Sequence, residues 1–121
     1  MRVVVVGALY GAVAVGLGAV GAHVLDGAVP VESNELLRTA VFYMALHAAV
    51  MVAMGALKNH VLPILLGAAS WAIGVGVLLF SGSLIAMTLG GPIELMYVTP
   101  VGGGLLIIGW LLLAVAAARR I

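Results

Sequence analysis

The stretch "TAVFYMALHAAVMVAMGAL", residues 39–57, contains no Asp, Glu, Lys or Arg. Its apolar residues run continuously and do not alternate, so the pattern is that of a membrane-crossing helix and not of a barrel strand. Working outward, the few charges of the chain separate three more such runs: Arg2 to Asp26, Lys58 to Glu94, and Glu94 to Arg119. Each is long enough for the roughly 20 apolar residues that cross a hydrocarbon layer of about 30 Å. Only helices or closed barrels satisfy their backbone in lipid, and continuous runs exclude the barrel.

The composition agrees. Hydrophobic residues are 65% of the 121 and charged residues 7%, and mean hydropathy is +1.35. A soluble domain is roughly half apolar and a quarter charged. The fold class expected is all-α: an integral membrane four-helix bundle forming one domain over residues 1–121, with spans at about 3–24, 39–57, 61–89 and 98–118. Arg2 followed by an apolar run also has the form of a secretory signal with Ala19–Gly21 as cleavage site. The run is longer than the usual hydrophobic region of about 7–15 residues, and it is read as a span.

With four spans, both termini and the Lys58-Asn59-His60 turn share one side, while residues 26–38 and 90–98 share the other. The first side carries Arg2, Lys58, Arg119 and Arg120; the second carries Arg38 with Asp26, Glu32, Glu35 and Glu94. Only Lys and Arg count in the positive-inside rule, so both termini are expected in the cytoplasm. Pro30, Ser33, Asn34 and Glu35 read as a helix start feeding the second span, and Pro63 and Pro100 fit the first turns of the third and fourth. The third run exceeds the membrane thickness, so it tilts, protrudes or loosens near Ser81-Gly82-Ser83.

The first span repeats small residues at intervals of four: Gly7 and Gly11; Ala8, Ala12 and Gly16; Ala14, Gly18 and Ala22. Small faces let helix backbones approach where lipid supplies no hydrophobic drive. Gly7, Gly11, Gly16, Gly18, Gly82, Gly102 and Gly103 are the helix-packing candidates, serving contacts within the chain, between copies or with a larger complex.

His47 lies eight residues past Thr39, about 12 Å into the span. An ionisable residue at that depth faces the bundle interior and is a functional candidate. Its simplest role is a neutral donor and acceptor between helices, with Tyr43 one turn earlier on the same face. His23, Ser81, Ser83 and Thr99 lie toward the same side of their spans. Together with Tyr43 and His47 they form a candidate polar layer, either a set of interhelical hydrogen bonds or a small site for a ligand, ion or proton.

Met44, His47, Met51 and Met54 also share one helix face, and thioethers with imidazole suit Cu(I). Strung along one helix over about 15 Å, they cannot close on one ion, and Met fills irregular cores. Haem between His23 and His47 fails because their depths differ by most of a leaflet. Trp71 and Trp110 fall near mid-membrane and are read as packing residues, with a wall for a flat ligand such as a quinone as the alternative. No cofactor or metal is expected. The absence of Cys excludes disulfides and thiol chemistry. No serine nucleophile motif, paired carboxylates or phosphate-binding loop appears, and "GLGAVG" at 16–21 lies inside a span. Five basic residues split across a membrane exclude nucleic acid.

Four fragments in order, "GAVGAH" at 18–23, "TAVFYMALH" at 39–47, "LFSGSL" at 79–84, and "TPVGG" with "GW" at 99–103 and 109–110, resemble the YgdD and transmembrane-protein-256-like group. These are small four-span membrane proteins of unknown function. The resemblance implies that His23, Tyr43, His47, Ser81, Gly82, Ser83, Thr99, Pro100, Gly102 and Gly103 are motif positions. Relatives often carry Gln at the position of Met44 and Tyr at that of Ile85, so a polar site would be drier in this chain. The function expected is non-enzymatic: an accessory or assembly subunit of a membrane complex, or a homo-oligomer, in contact with membrane lipids. The alternative is binding or transport through the polar layer.

Overall fold

The structure, a computed structural model, describes residues 1–25 and 27–119. Asp26 and Arg120, both used in the charge argument, lie outside the described residues. Four long helices account for most of the chain: α1 (Arg2–Val20), α2 (Val31–Ala56), α3 (Pro63–Thr88) and α4 (Val98–Ala118). A π-helical turn, Gly21–Leu25, prolongs α1, and a 3-10 segment, Ile93–Tyr97, leads into α4. All four spans are long and apolar enough to cross a membrane.

The ends follow local chemistry. Pro63 opens α3 at its first turn, where a missing N–H breaks no helical bond. Pro30, in an extended conformation, precedes α2, whose first two turns carry Glu32, Glu35 and Arg38 beyond the uncharged stretch. α3 stops in a Schellman motif: Gly91 N–H donates to the Ala86 carbonyl (2.8 Å) and Gly90 N–H to that of Met87 (3.1 Å). Gly90 has a φ of +90°, a conformation that glycine adopts without steric cost. α3 is continuous through Ser81, Gly82 and Ser83, so its excess length, at about 1.5 Å per residue against a layer of about 30 Å, is taken up without unwinding there.

Neighbouring helices are antiparallel. Along α1–α2, Gly7 meets Ala48 and Met51, Gly18 meets Val41, and Gly21 meets Leu37. Along α3–α4, Gly76 meets Leu106, Gly102 meets Phe80, and Gly109 meets Ile73. The core between them is built from Ala14, Met44, Met51, Met54, Ile73, Val77 and Leu106.

The bundle is not closed. Among the described residues no Cα of α1 comes within 8 Å of α4, and none of α2 within 8 Å of α4. α3 is the shared element, packed extensively on α2 and α4 and lightly on α1. Membrane association relies on close packing, not on sequestering apolar surface, so an open arrangement leaves no penalty for uncovered Leu and Val.

Candidate functional site

His47 is 2% exposed and projects from α2 toward α4. Its Nδ1 lies 2.7 Å from the Tyr43 carbonyl oxygen, and the Trp110 indole N–H donates to its Nε2 across 3.0 Å. A carbonyl only accepts and an indole only donates, so the imidazole carries its hydrogen on Nδ1 and offers a lone pair at Nε2. Both ring nitrogens are used.

Rings surround this pair. Tyr43 stacks near His47 with centroids 6.3 Å apart, and Trp110 meets His47 edge-on at 5.9 Å. Phe80 of α3 packs edge-on against Tyr43 at 4.9 Å. The cluster therefore joins α2, α3 and α4. Its reach depends on the α3–α4 glycine seam. A Cβ on Gly102 would strike the backbone N of Phe80, and one on Gly109 the side chain of Ile73. With α4 drawn that close to α3, the indole next to Gly109 is long enough to bridge to α2.

The other polar candidates fall on separate storeys. Ser81 Oγ donates to the Ala40 carbonyl of α2 at 2.8 Å. Ser83 and Thr99 share a hydroxyl–hydroxyl bond across α3–α4, and Ser83 also reaches the Phe80 carbonyl at 2.9 Å. Further out, Thr88 Oγ1 donates to the Leu84 carbonyl at 2.9 Å and reaches the Ser33 carbonyl of α2 at 3.2 Å. In the other direction the Tyr10 hydroxyl donates to the Gly74 carbonyl at 2.7 Å, joining α1 to α3. Gly74, Ser81 and Thr88 are spaced by seven residues, as are Ser33, Ala40 and His47. The expected single layer is a ladder, its rungs about 10 Å apart along the helices. Every buried side-chain nitrogen and oxygen among the described residues has a hydrogen-bond partner.

His23 does not join this ladder. It is exposed in the π-helical turn, and its side chain makes no hydrogen bond or ring contact with another described residue. Tyr43 joins through its ring and carbonyl, with its side chain 38% exposed. Met44, Met51 and Met54 are buried beside His47 as core. Trp71, expected to pack, is 75% exposed because its position on α3 faces away from the seams with α2 and α4.

The glycines divide as sharply. Gly7 and Gly102 sit where a Cβ would press on a neighbouring backbone. Gly11, Gly18 and Gly103 leave room for ordinary contact, and at Gly16 and Gly82 a Cβ would meet nothing within 4 Å. Among the described residues, then, neither Gly16 nor Gly82 is a close-approach position. Gly76 and Gly109, which the four-residue spacing in the first span does not reveal, are close-approach positions. The signal for Gly109 is its seven-residue interval from Gly102; Gly76 is revealed only by its contact with Leu106.

Four apolar spans tied by buried neutral hydrogen bonds define a multi-pass integral membrane protein. Residues 17–103 match the family described as Protein of unknown function (DUF423), and the chain belongs to that family. It is 35% identical to UPF0382 membrane protein YwdK of Bacillus subtilis over 117 residues, 96% of this chain and 95% of the relative. It is 33% identical to UPF0382 inner membrane protein YgdD of Escherichia coli K12 over 112 residues, 93% of this chain and 86% of the relative. The four spans and these relatives place the chain in the cell membrane. No solved structure matches.

Proposed function

We propose that this protein is a non-enzymatic packing subunit of the membrane, joining a larger complex or a second copy of itself through α1. The observation that carries this reading is the outward face of α1. It is the least buried span, and Ala8, Ala12 and Gly16 form an exposed small-residue ridge on it. The inward seam, Gly7, Gly11, Ala14, Gly18 and Gly21, is already committed to α2. A second small face at helical spacing permits a second close helix contact.

The polar ladder supports the same reading. His47 has its ring nitrogens engaged by its own helix and by α4, and Ser81 its hydroxyl by α2, which suits a rigid scaffold better than a passage for a ligand, ion or proton. The excess of Lys and Arg on the side of the termini supports an orientation with both termini in the cytoplasm.

Native mass spectrometry of the tagged protein, extracted gently from its own membrane, tests the proposal. A stoichiometric partner or a homo-oligomer is expected, lost on Gly16→Leu or Ala12→Leu while helix content is unchanged. A strict monomer in that extract overturns it.

A further inference from the structure

On a different flank of α1 from the small-residue ridge, a groove of about 410 Å³ runs between α1 and α3. Arg2 stands at its mouth; Val6 and Tyr10 form one wall, Trp71 and Leu78 the other, and Met51 of α2 the floor. From Arg2 to Tyr10 is eight residues, or about 12 Å, within one leaflet of a layer of about 30 Å. α1 and α3 run parallel here and touch only lightly, and the hydrogen bond from Tyr10 to Gly74 bridges the two walls.

The chemistry of the groove is divided by depth. Its two lining hydroxyls are turned away from an occupant: Tyr10 donates to Gly74 and Ser70 donates back to the Leu66 carbonyl at 2.8 Å. The interior thus offers methyl, thioether and indole surface, and the only charge is the guanidinium at the mouth. The surrounding face carries Lys58 and Arg119 as well, whereas Glu32, Glu35 and Glu94 all lie at the opposite ends of the helices. An occupant must be apolar for about one leaflet and anionic at the membrane surface.

We infer that the α1–α3 groove binds one anionic phospholipid, with an acyl chain along Val6, Tyr10 and Trp71 and the phosphate at Arg2. Arg suits a phosphate because its planar donors pair with two oxygens. This binding is separable from the packing role proposed above, since at 100° per residue Val6 and Tyr10, which wall the groove, are centred about 140° round α1 from the Ala8–Ala12–Gly16 ridge.

The test is native mass spectrometry of the full chain in detergent, titrated with equimolar phosphatidylglycerol and phosphatidylcholine of matched chains. One phosphatidylglycerol is expected to be retained about fivefold over phosphatidylcholine, the preference that one basic residue near a membrane surface confers. Arg2→Gln brings the ratio close to one. Val6→Trp and Leu78→Trp, which fill the groove and keep every charge, also abolish it, with helix content checked by circular dichroism. Equal retention of the two lipids by the parent chain overturns the inference. So does a preference that survives Arg2→Gln, or one that survives both filling variants, which would assign it to the basic face and not to the groove.

Discussion

The indole N–H of Trp110 donates to Nε2 of His47 across 3.0 Å, and this contact is the only side-chain hydrogen bond joining α2 to α4 among the described residues. It fixes the imidazole tautomer, since Nδ1 is committed to the Tyr43 carbonyl. A residue that composition alone marks as out of place in lipid is thereby accounted for: both of its polar atoms are paired, so its burial leaves nothing unsatisfied.

That relationship carries a measurable coupling. Trp110→Phe keeps a ring in place and removes the donor, and His47→Leu removes the acceptor. In a double-mutant cycle read by unfolding in mixed detergent, the two should be non-additive by about 0.5–1.5 kcal/mol, the range of interhelical hydrogen bonds in membranes. Additivity within about 0.3 kcal/mol would mean that the contact contributes nothing to stability.

The glycine seam predicts a contrast between positions that look alike in sequence. Gly102→Ala pushes a methyl into the Phe80 backbone, which cannot yield as a flexible side chain can, and should destabilise by about 1–3 kcal/mol. Gly82→Ala and Gly16→Ala meet open space and should leave monomer stability unchanged or raise it by up to about 1 kcal/mol through helix propensity. Comparing the three in the same unfolding assay checks the assignment, and equal effects would refute it.

The fold was largely legible in the sequence because each span is an uninterrupted apolar run bounded by charge. The start of α2 was legible as well: Pro30 with Ser33, Asn34 and Glu35 marked a helix start, and the helix begins at Val31, eight residues before the uncharged span opens at Thr39, because backbone hydrogen bonds continue past the point where charge leaves the lipid. His47, Ser81, Ser83 and Thr99 were legible as polar groups that need partners in an apolar setting. Trp110 and Tyr10 were not, since an aromatic residue among Leu and Val shows no sign of which helix it bridges to. Nor was the openness of the bundle, which depends on how close each glycine seam draws its pair.

The seven-residue ladder predicts small and independent losses. Ser81→Ala removes a bond to the Ala40 carbonyl, which keeps its bond within α2, so no orphan is created. A loss of about 0.6 kcal/mol, and not above about 1.7, is expected. Thr88→Val should behave similarly. The rungs stand about 10 Å apart, so the double variant should equal the sum of the singles within about 0.5 kcal/mol. A much larger combined loss would show that the rungs act as one cooperative network.

Among the described residues Tyr10 is the one polar link from α1 to α3, and α1 is otherwise held by its glycine seam with α2. Tyr10→Phe removes the hydroxyl that donates to Gly74 and keeps the ring that walls the groove. Its cost should be about 1 kcal/mol or less, whereas Gly7→Leu, which drives a branched side chain between α1 and the backbone at Ala48, should separate α1 from the rest and cost several times more. Because the chain has no cysteine, a single introduced pair, Gly18→Cys with Val41→Cys, reports α1–α2 proximity by disulfide formation without interference. Cross-linking should persist in Tyr10→Phe and fall sharply in Gly7→Leu. Equal cross-linking in both would show that the seam is no more needed for docking α1 than the hydroxyl.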